Sequence, residues 1–186
     1  MRYIEDRIIE VDFPISEFAY QYKEQLINQF KSDFPVFPYR IGNEPMGFNV
    51  ECRIESLNNY LYGKFYRIIH DIFDVCEPDR LGNYLFIQNG ENYASSLHQH
   101  IWAGDHNGIC ATSYLNLPDE GGEFKYYLGK GIQKHKVQED KLYIFPNHLY
   151  HAPVGSDDLK YRICFNLEYL YNNPTKVYDK NKGWYW

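Results

Sequence analysis

The sequence predicts an α+β, mainly β fold in which helices of the first 80 residues support an antiparallel sandwich or barrel of the jelly-roll class. One change of texture carries that prediction. Before residue 80, apolar residues recur at three- and four-residue steps, the period of one helix face; beyond it, short aromatic and β-branched runs are split by turn residues. Composition agrees. With 19 Tyr and 12 Phe the chain is 18% aromatic, and Tyr suits sheet surfaces where its ring packs and its hydroxyl finds a partner.

Ser16 is placed to cap a first helix running to about Lys31, with Ala19, Tyr22, Leu26 and Phe30 along one face. Three prolines and two glycines in DFPVFPYRIGNEPMG make Asp33 to Gly47 a loop or extended connection. A second helix follows Ser56, its stripe formed by Leu57, Leu61, Phe65, Ile68, Ile69 and Ile72, and Pro78 and Gly82 end it. Strands are predicted near Asn83–Asn89, Ser96–Trp102, Ile109–Leu117, Glu123–Leu128, Ile132–Val137, Lys141–Phe145, His151–Val154 and Tyr161–Tyr169. The separators NGEN, AGDHNG, LPDEGG, LGKG, QED, PNH and GSDD are turn chemistry. No repeat or linker divides the chain, so one domain over 1–186 is expected: helical support in 1–80, a strand core in 83–169 and a tail in 170–186.

The net charge of −6, with no Lys/Arg-rich run, argues against a nucleic-acid backbone or an anionic membrane surface as partner. Small-molecule or protein substrates stay open. No stretch approaches the roughly 18 apolar residues of a membrane span, and MRYIEDRIIEVDF lacks the apolar run of a secretory signal. Cys52, Cys76, Cys110 and Cys164 are widely spaced without CxxC, which reads as a reduced, cytoplasmic protein with buried free thiols.

Three features of the β half could meet. His98 and His100 lie two apart on a predicted strand and so point to one face. His148 and His151 follow the FPN stop of a later strand, and Arg162 opens the run YRICFNLEY. Imidazoles on neighbouring strands suit iron, zinc, copper or nickel. A lone HxH is weak, since most histidines are surface or hydrogen-bonded core residues; His70, His106 and His135 are read that way, and His148 as a neighbour of the site.

The ordered run LHQH…SYLNLPDEGGEF…EDKLYIFPNHLYHAP…KYRICFNLEY resembles the core of the Fe(II)- and 2-oxoglutarate-dependent oxygenases, nearest the prolyl-hydroxylase-like branch. The likeness covers roughly residues 83–169 and implies a double-stranded β-helix, a jelly-roll or cupin-like barrel supported by the N-terminal helices. It implies an enzyme that hydroxylates its substrate, releasing succinate and CO2. It assigns His98 and His151 as metal ligands and Arg162 as partner of the C5 carboxylate of 2-oxoglutarate, with Tyr114 a further contact to that cosubstrate. A guanidinium grips a carboxylate bidentately, as Lys would not. The competing readings are an ion pair of Arg162 with Asp157 or Asp158, and Tyr114 as ordinary core.

The departure is at position 100, where the family has Asp and this chain has His100. Three imidazoles could form the site, Asp105 could swing in as the carboxylate, or the site could be degraded or take another metal; the three-histidine set is preferred. Cupins are similar in part: His98-x-His100 with Asp105, then Pro146-x-His148-x-x-His151, though GGEF and Arg162 favour the oxygenase. The alternative to an oxygenase is thus a cupin-like metal-binding protein or an inactive β-barrel binding module. The AGDHNG turn, the Asp33–Gly47 segment and the terminal GWYW are candidates for shaping a substrate entrance, and equally for ordinary packing.

Overall fold

The computed structural model describes residues 1–33, 40–41, 44–45, 48–88, 96–101, 107–154, 161–172 and 177–186. The chain opens on a hairpin, β1 (Arg2–Glu5) and β2 (Ile8–Asp12), turning at Asp6-Arg7. Helical chain follows as α1 (Ser16–Ala19), a 3-10 turn (Tyr20–Tyr22) and α2 (Lys23–Asp33). Short strands β3 (Arg40–Ile41), β4 (Glu44–Pro45) and β5 (Phe48–Val50) precede α3 (Glu55–Ile72) and β6 (Phe73–Asp74). The remaining strands are β7 (Arg80–Gln88), β8 (Asn107–Asn116), β9 (Phe124–Tyr127), β10 (Ile132–His135), β11 (Lys141–Pro146), β12 (Tyr150–Pro153), β13 (Arg162–Tyr171), β14 (Tyr178–Asp179) and β15 (Trp184–Tyr185).

The strands form two principal antiparallel sheets. The major one has the order β1-β2-β11-β8-β13-β7-β5, the minor one β10-β9-β12. Among the described residues no strand pairing joins them into a closed barrel. Side chains alternate across the major sheet with period two. Ile109, Ala111, Leu142, Ile144, Ile163, Phe165 and Leu167 pack toward the helices, while Cys110, Tyr114, Tyr143, Phe145 and Cys164 pack toward Phe124 and Tyr126 of the minor sheet. Because both faces are covered, β8 is buried along almost its whole length and lacks the polar alternation of a one-sided strand.

Helix α3 buries Leu57, Leu61, Phe65, Ile69 and Ile72 of the stripe its sequence spacing predicts, and leaves Ile68 at the edge, partly buried. Full burial of such side chains stabilises by roughly 1.5–3 kcal/mol each. The helix begins at Glu55 after an extended Ile54 that makes no side-chain cap. Ser56 lies inside the first turn, where its hydroxyl meets that of Tyr22 at 3.1 Å. The first helix is not continuous either: a 3-10 turn divides it.

Two further differences stand out. The stretch predicted as a strand from Ser96 makes a single bridge over its described residues 96–101, His98 with His151. It lies at the open edge of the four-residue β12, so there is little strand to pair with. The second is the N-terminal hairpin, which extends the major sheet through β2 and β11 instead of supporting it from outside. Phe13 N–H donates to the Asp140 carbonyl, and Ile15 N–H to the Asp140 carboxylate. Asp140 itself adopts φ 58°, the left-handed turn conformation that Asp tolerates. Of the GWYW tail, Trp186 packs, its ring 4.6 Å from that of Phe73 on the helix side, while Trp184 and Tyr185 are exposed. The AGDHNG turn, except its Asn107 and Gly108, and most of the Asp33–Gly47 segment lie outside the described residues.

A candidate metal centre beside a buried guanidinium

His98 and His151 exchange backbone hydrogen bonds of 2.9 and 3.0 Å across the bridge, and His100 N–H donates to the Asn147 carbonyl at 2.9 Å. These bonds fix the 96–101 segment against β12 and the turn before it. His98 and His100 therefore both face His151, with ring centroids 5.2 Å apart for His98–His100, 4.6 Å for His98–His151 and 4.9 Å for His100–His151. His151 is buried, His100 half-buried and His98 open to solvent on one side. Their ligand-capable nitrogens all lie within 4.8 Å of one another.

The hydrogen bonds behind the rings decide which nitrogens are free. Nδ1 of His151 meets the Leu149 carbonyl at 2.9 Å, Nδ1 of His98 the Ser96 carbonyl at 3.3 Å, and Nδ1 of His100 the Glu168 carboxylate at 2.5 Å. Each partner can only accept, so each Nδ1 carries a hydrogen and each Nε2 is left to face its neighbours. Nε2 of His100 and of His151 stand 3.1 Å apart. Two lone pairs at that distance repel unless a proton or a metal cation lies between them. Two nitrogen ligands about 2.1 Å from one metal at a right angle would lie roughly 3.0 Å apart, so the spacing fits a bound ion.

Charge tuning favours ligation too. Burial, then the neighbouring His100 and His98, holds His151 well below the ordinary imidazole pKa. Desolvation and His100 lower His98. Neutral imidazoles are the ligating form.

Arg162 sits at the start of β13, buried beside Tyr114 and Gln88. Its Nη2 donates to the Tyr114 hydroxyl at 3.1 Å and its Nη1 to Gln88 Oε1 at 3.1 Å, while the guanidinium carbon stands 4.8 Å from the Tyr114 ring centroid. A register shift between Ile163 and Cys164, opposite Tyr114 to Asn116 of β8, adds an extra residue beside this group. Such a bulge re-aims neighbouring side chains. Among the described residues no carboxylate pairs with Arg162, and Gln88 Nε2 has no partner. A buried cation beside an unused amide donor is a site for an anion. Burial pushes the Tyr114 hydroxyl up to about 12 despite Arg162, so it remains a protonated phenol at neutral pH.

The structure brings His98, His100 and His151 together and sets Arg162 against Tyr114 on the same inner face. His148 is exposed and contributes its carbonyl, which accepts from Gln99 Nε2. His70 bonds Tyr169 at 2.8 Å on the helix side, and His135 faces Glu10 at 3.6 Å. Asp105, Asp157, Asp158 and His106 fall outside the described residues. Sequence reasoning missed Glu168, Tyr84 and Gln88. Their signal was the period of two: Glu168 lies six residues past Arg162 and shares its face, as Tyr84, Phe86 and Gln88 share theirs. A glutamate inside so apolar a strand is the kind of buried polar residue that calls for an explanation.

No protein-family model matches the chain, and no curated protein does. Solved structures do. A prolyl hydroxylase from Trichoplax adhaerens, crystallised with a hypoxia-inducible-factor oxygen degradation domain peptide fragment, is 15% identical with TM-score 0.65, covering 89% of this chain and 84% of that one. SnoK, a non-heme α-ketoglutarate-dependent carbocyclase of nogalamycin biosynthesis, is 10% identical with TM-score 0.65, covering 95% and 83%. HygX from Streptomyces hygroscopicus, solved with nickel and 2-oxoglutarate, is 12% identical with TM-score 0.61, covering 88% and 82%. At such identities the shared property is the fold, that of prolyl hydroxylases and other iron- and 2-oxoglutarate-dependent oxygenases.

Proposed function

We propose that the chain is an Fe(II)- and 2-oxoglutarate-dependent oxygenase, with its two facing sheets forming a double-stranded β-helix and His98, His100 and His151 holding the metal. The observation that carries this reading is the convergence of one ligand-capable nitrogen from each of His98, His100 and His151, with every Nδ1 already facing an acceptor. The buried guanidinium of Arg162 on the same inner face supports it. When bound, Fe(II) with 2-oxoglutarate would supply O2 activation, converting 2-oxoglutarate, O2 and a substrate C–H to succinate, CO2 and an alcohol.

The chain's own residues bind, orient and exclude water. Arg162 takes the C5 carboxylate of 2-oxoglutarate as a charged fork, with the Tyr114 hydroxyl beside it. Phe124 and Phe145, rings 5.1 Å apart, wall His151 from water. The carbonyls of Ser96 and Leu149 keep two rings in the ligating orientation. The substrate is a small molecule or a protein segment; the peptide held by the Trichoplax enzyme makes the second class worth testing first.

The test is direct. Protein loaded with Fe(II) under ascorbate should turn 2-oxoglutarate slowly into succinate without any added substrate. Absence of both turnover and bound metal would refute the enzyme. A second reading rests on the three-imidazole set itself, since it lacks a carboxylate ligand: a metal-binding protein without 2-oxoglutarate chemistry. Thermal stabilisation by 2-oxoglutarate in the parent protein, lost in Arg162→Ala, would decide for the oxygenase.

A further inference from the structure

Among the described residues, Glu168 is the site-facing carboxylate that neither the metal ligands nor the anion pocket uses. It sits buried near the middle of β13, its Oε1 2.5 Å from His100 Nδ1 and 3.2 Å from the Tyr84 hydroxyl, which donates to it. Tyr84 also lies 3.0 Å from His100 Nδ1, so three groups share one knot of hydrogen bonds behind the ring. Opposite Glu168 on the neighbouring strand stands Gly82. A Cβ there would come 2.7 Å from Glu168 Oε2, 3.2 Å from its Cβ and 3.3 Å from its carboxyl carbon. The carboxylate therefore occupies room that only glycine leaves open.

Three neutral imidazoles bring no charge to a cation. A dication held by them in a partly dry wall is stabilised by an anion close behind the ligand shell, and a buried carboxylate is itself stabilised by a cation nearby. We propose that Glu168 is the positioning residue of the three-histidine centre: it locks His100 with Nδ1 protonated and Nε2 aimed at His151, and supplies the negative charge that the three ligands lack. This rests on the metal-binding reading above and adds to it the residue that makes His100 a competent ligand. Tyr84 holds the carboxylate in turn, and Gly82 gives it space.

The experiment measures Zn(II) and Co(II) affinity by competition with a chromophoric chelator, and the His100 tautomer in metal-free protein by 15N-edited NMR. Wild type should show a protonated Nδ1 on His100. Glu168→Gln, which can offer an amide donor to that nitrogen, should lose this signature and bind either metal about 10–100-fold more weakly. Gly82→Ala keeps the charge but displaces Oε2, and should give a smaller loss of affinity and a weaker form of the same His100 tautomer change. If Glu168→Gln does not fold, Gly82→Ala carries the test alone.

Wild-type affinity and an unchanged His100 signal in these variants would overturn the proposal. Because the tautomer is read without metal, the two ideas fail separately. A parent protein that binds neither ion defeats the metal reading. A parent that binds them, with a His100 ring indifferent to Glu168, defeats this inference alone.

Discussion

The two faces of the major sheet are made by the same strands and differ in almost every chemical respect. Toward the helices stand Ile109, Ala111, Leu142, Ile144, Ile163, Phe165 and Leu167, with no charged group among them. Toward the minor sheet the alternate residues of β7, β8 and β13 include Tyr84, Gln88, Tyr114, Arg162 and Glu168. The difference lies in what each face must satisfy. The helix face is mostly volume and apolar area, its buried hydroxyls of Tyr169 and Tyr171 capped by His70 and the Cys76 carbonyl. The inner face gathers a cation, a carboxylate and several amide and phenol groups that call for partners or a ligand. A strand carries both because its period of two keeps them apart, and a one-residue slip would exchange them.

Substitutions on each face should separate binding from stability. The largest effect expected is on the inner face: His151→Ala should abolish metal binding, read by metal analysis of the purified protein, while the fold persists by circular dichroism. Next is the helix face, where Phe165→Ala should cost about 3–5 kcal/mol in denaturant unfolding and leave metal affinity of the folded protein unchanged. A metal affinity that fell with Phe165→Ala would blur the comparison. Arg162→Ala should spare the metal and weaken 2-oxoglutarate roughly 10–100-fold, as loss of charge-assisted hydrogen bonds implies; calorimetric titration would read it, and unchanged affinity would mean the pocket is misassigned.

The last expectation, absent at neutral pH, is a pH dependence shared by both faces. Burial raises the pKa of Tyr143 on the inner face and of Tyr169 and Tyr171 on the other. Above pH about 10 the unfolded chain releases these protons while the folded chain keeps them. The unfolded state then binds fewer protons, so stability falls as pH rises, by up to roughly 1.4 kcal/mol per tyrosine per pH unit. Melting temperatures between pH 9 and 11 that stayed flat would contradict this.

The β half was legible because its turns are spelled out: LGKG joins the paired strands β9 and β10, while LPDEGG and QED mark where the chain crosses from one sheet to the other. Hydrophobic spacing likewise located the buried stripe of α3. The N-terminal hairpin was not legible, since RYIE and IIEVD are short and flank a charged Asp6-Arg7 turn that resembles helix surface as much as a hairpin. Its value as sheet comes from a partner, β11, about 130 residues away, which no local pattern encodes. The same holds for the site. HxH and Arg162 stand out locally, but the pairing of His100 with Glu168 spans a separation of 68 residues and needs three-dimensional placement. A segment such as residues 96–101 can present two histidines to one side through a single bridge, without being the strand its alternation suggests.

The order β1-β2-β11-β8-β13-β7-β5 has a consequence for the birth of the molecule. Strand β13, flanked by β8 and β7, is synthesised about 150 residues after the hairpin that docks on β11. At roughly 5–20 residues per second, Ile8 and Ile9 wait on the order of ten seconds with one strand edge unpaired. The centre of the sheet can pair fully only once β13 has been made, so the nascent chain carries open strand edges that the finished sheet covers.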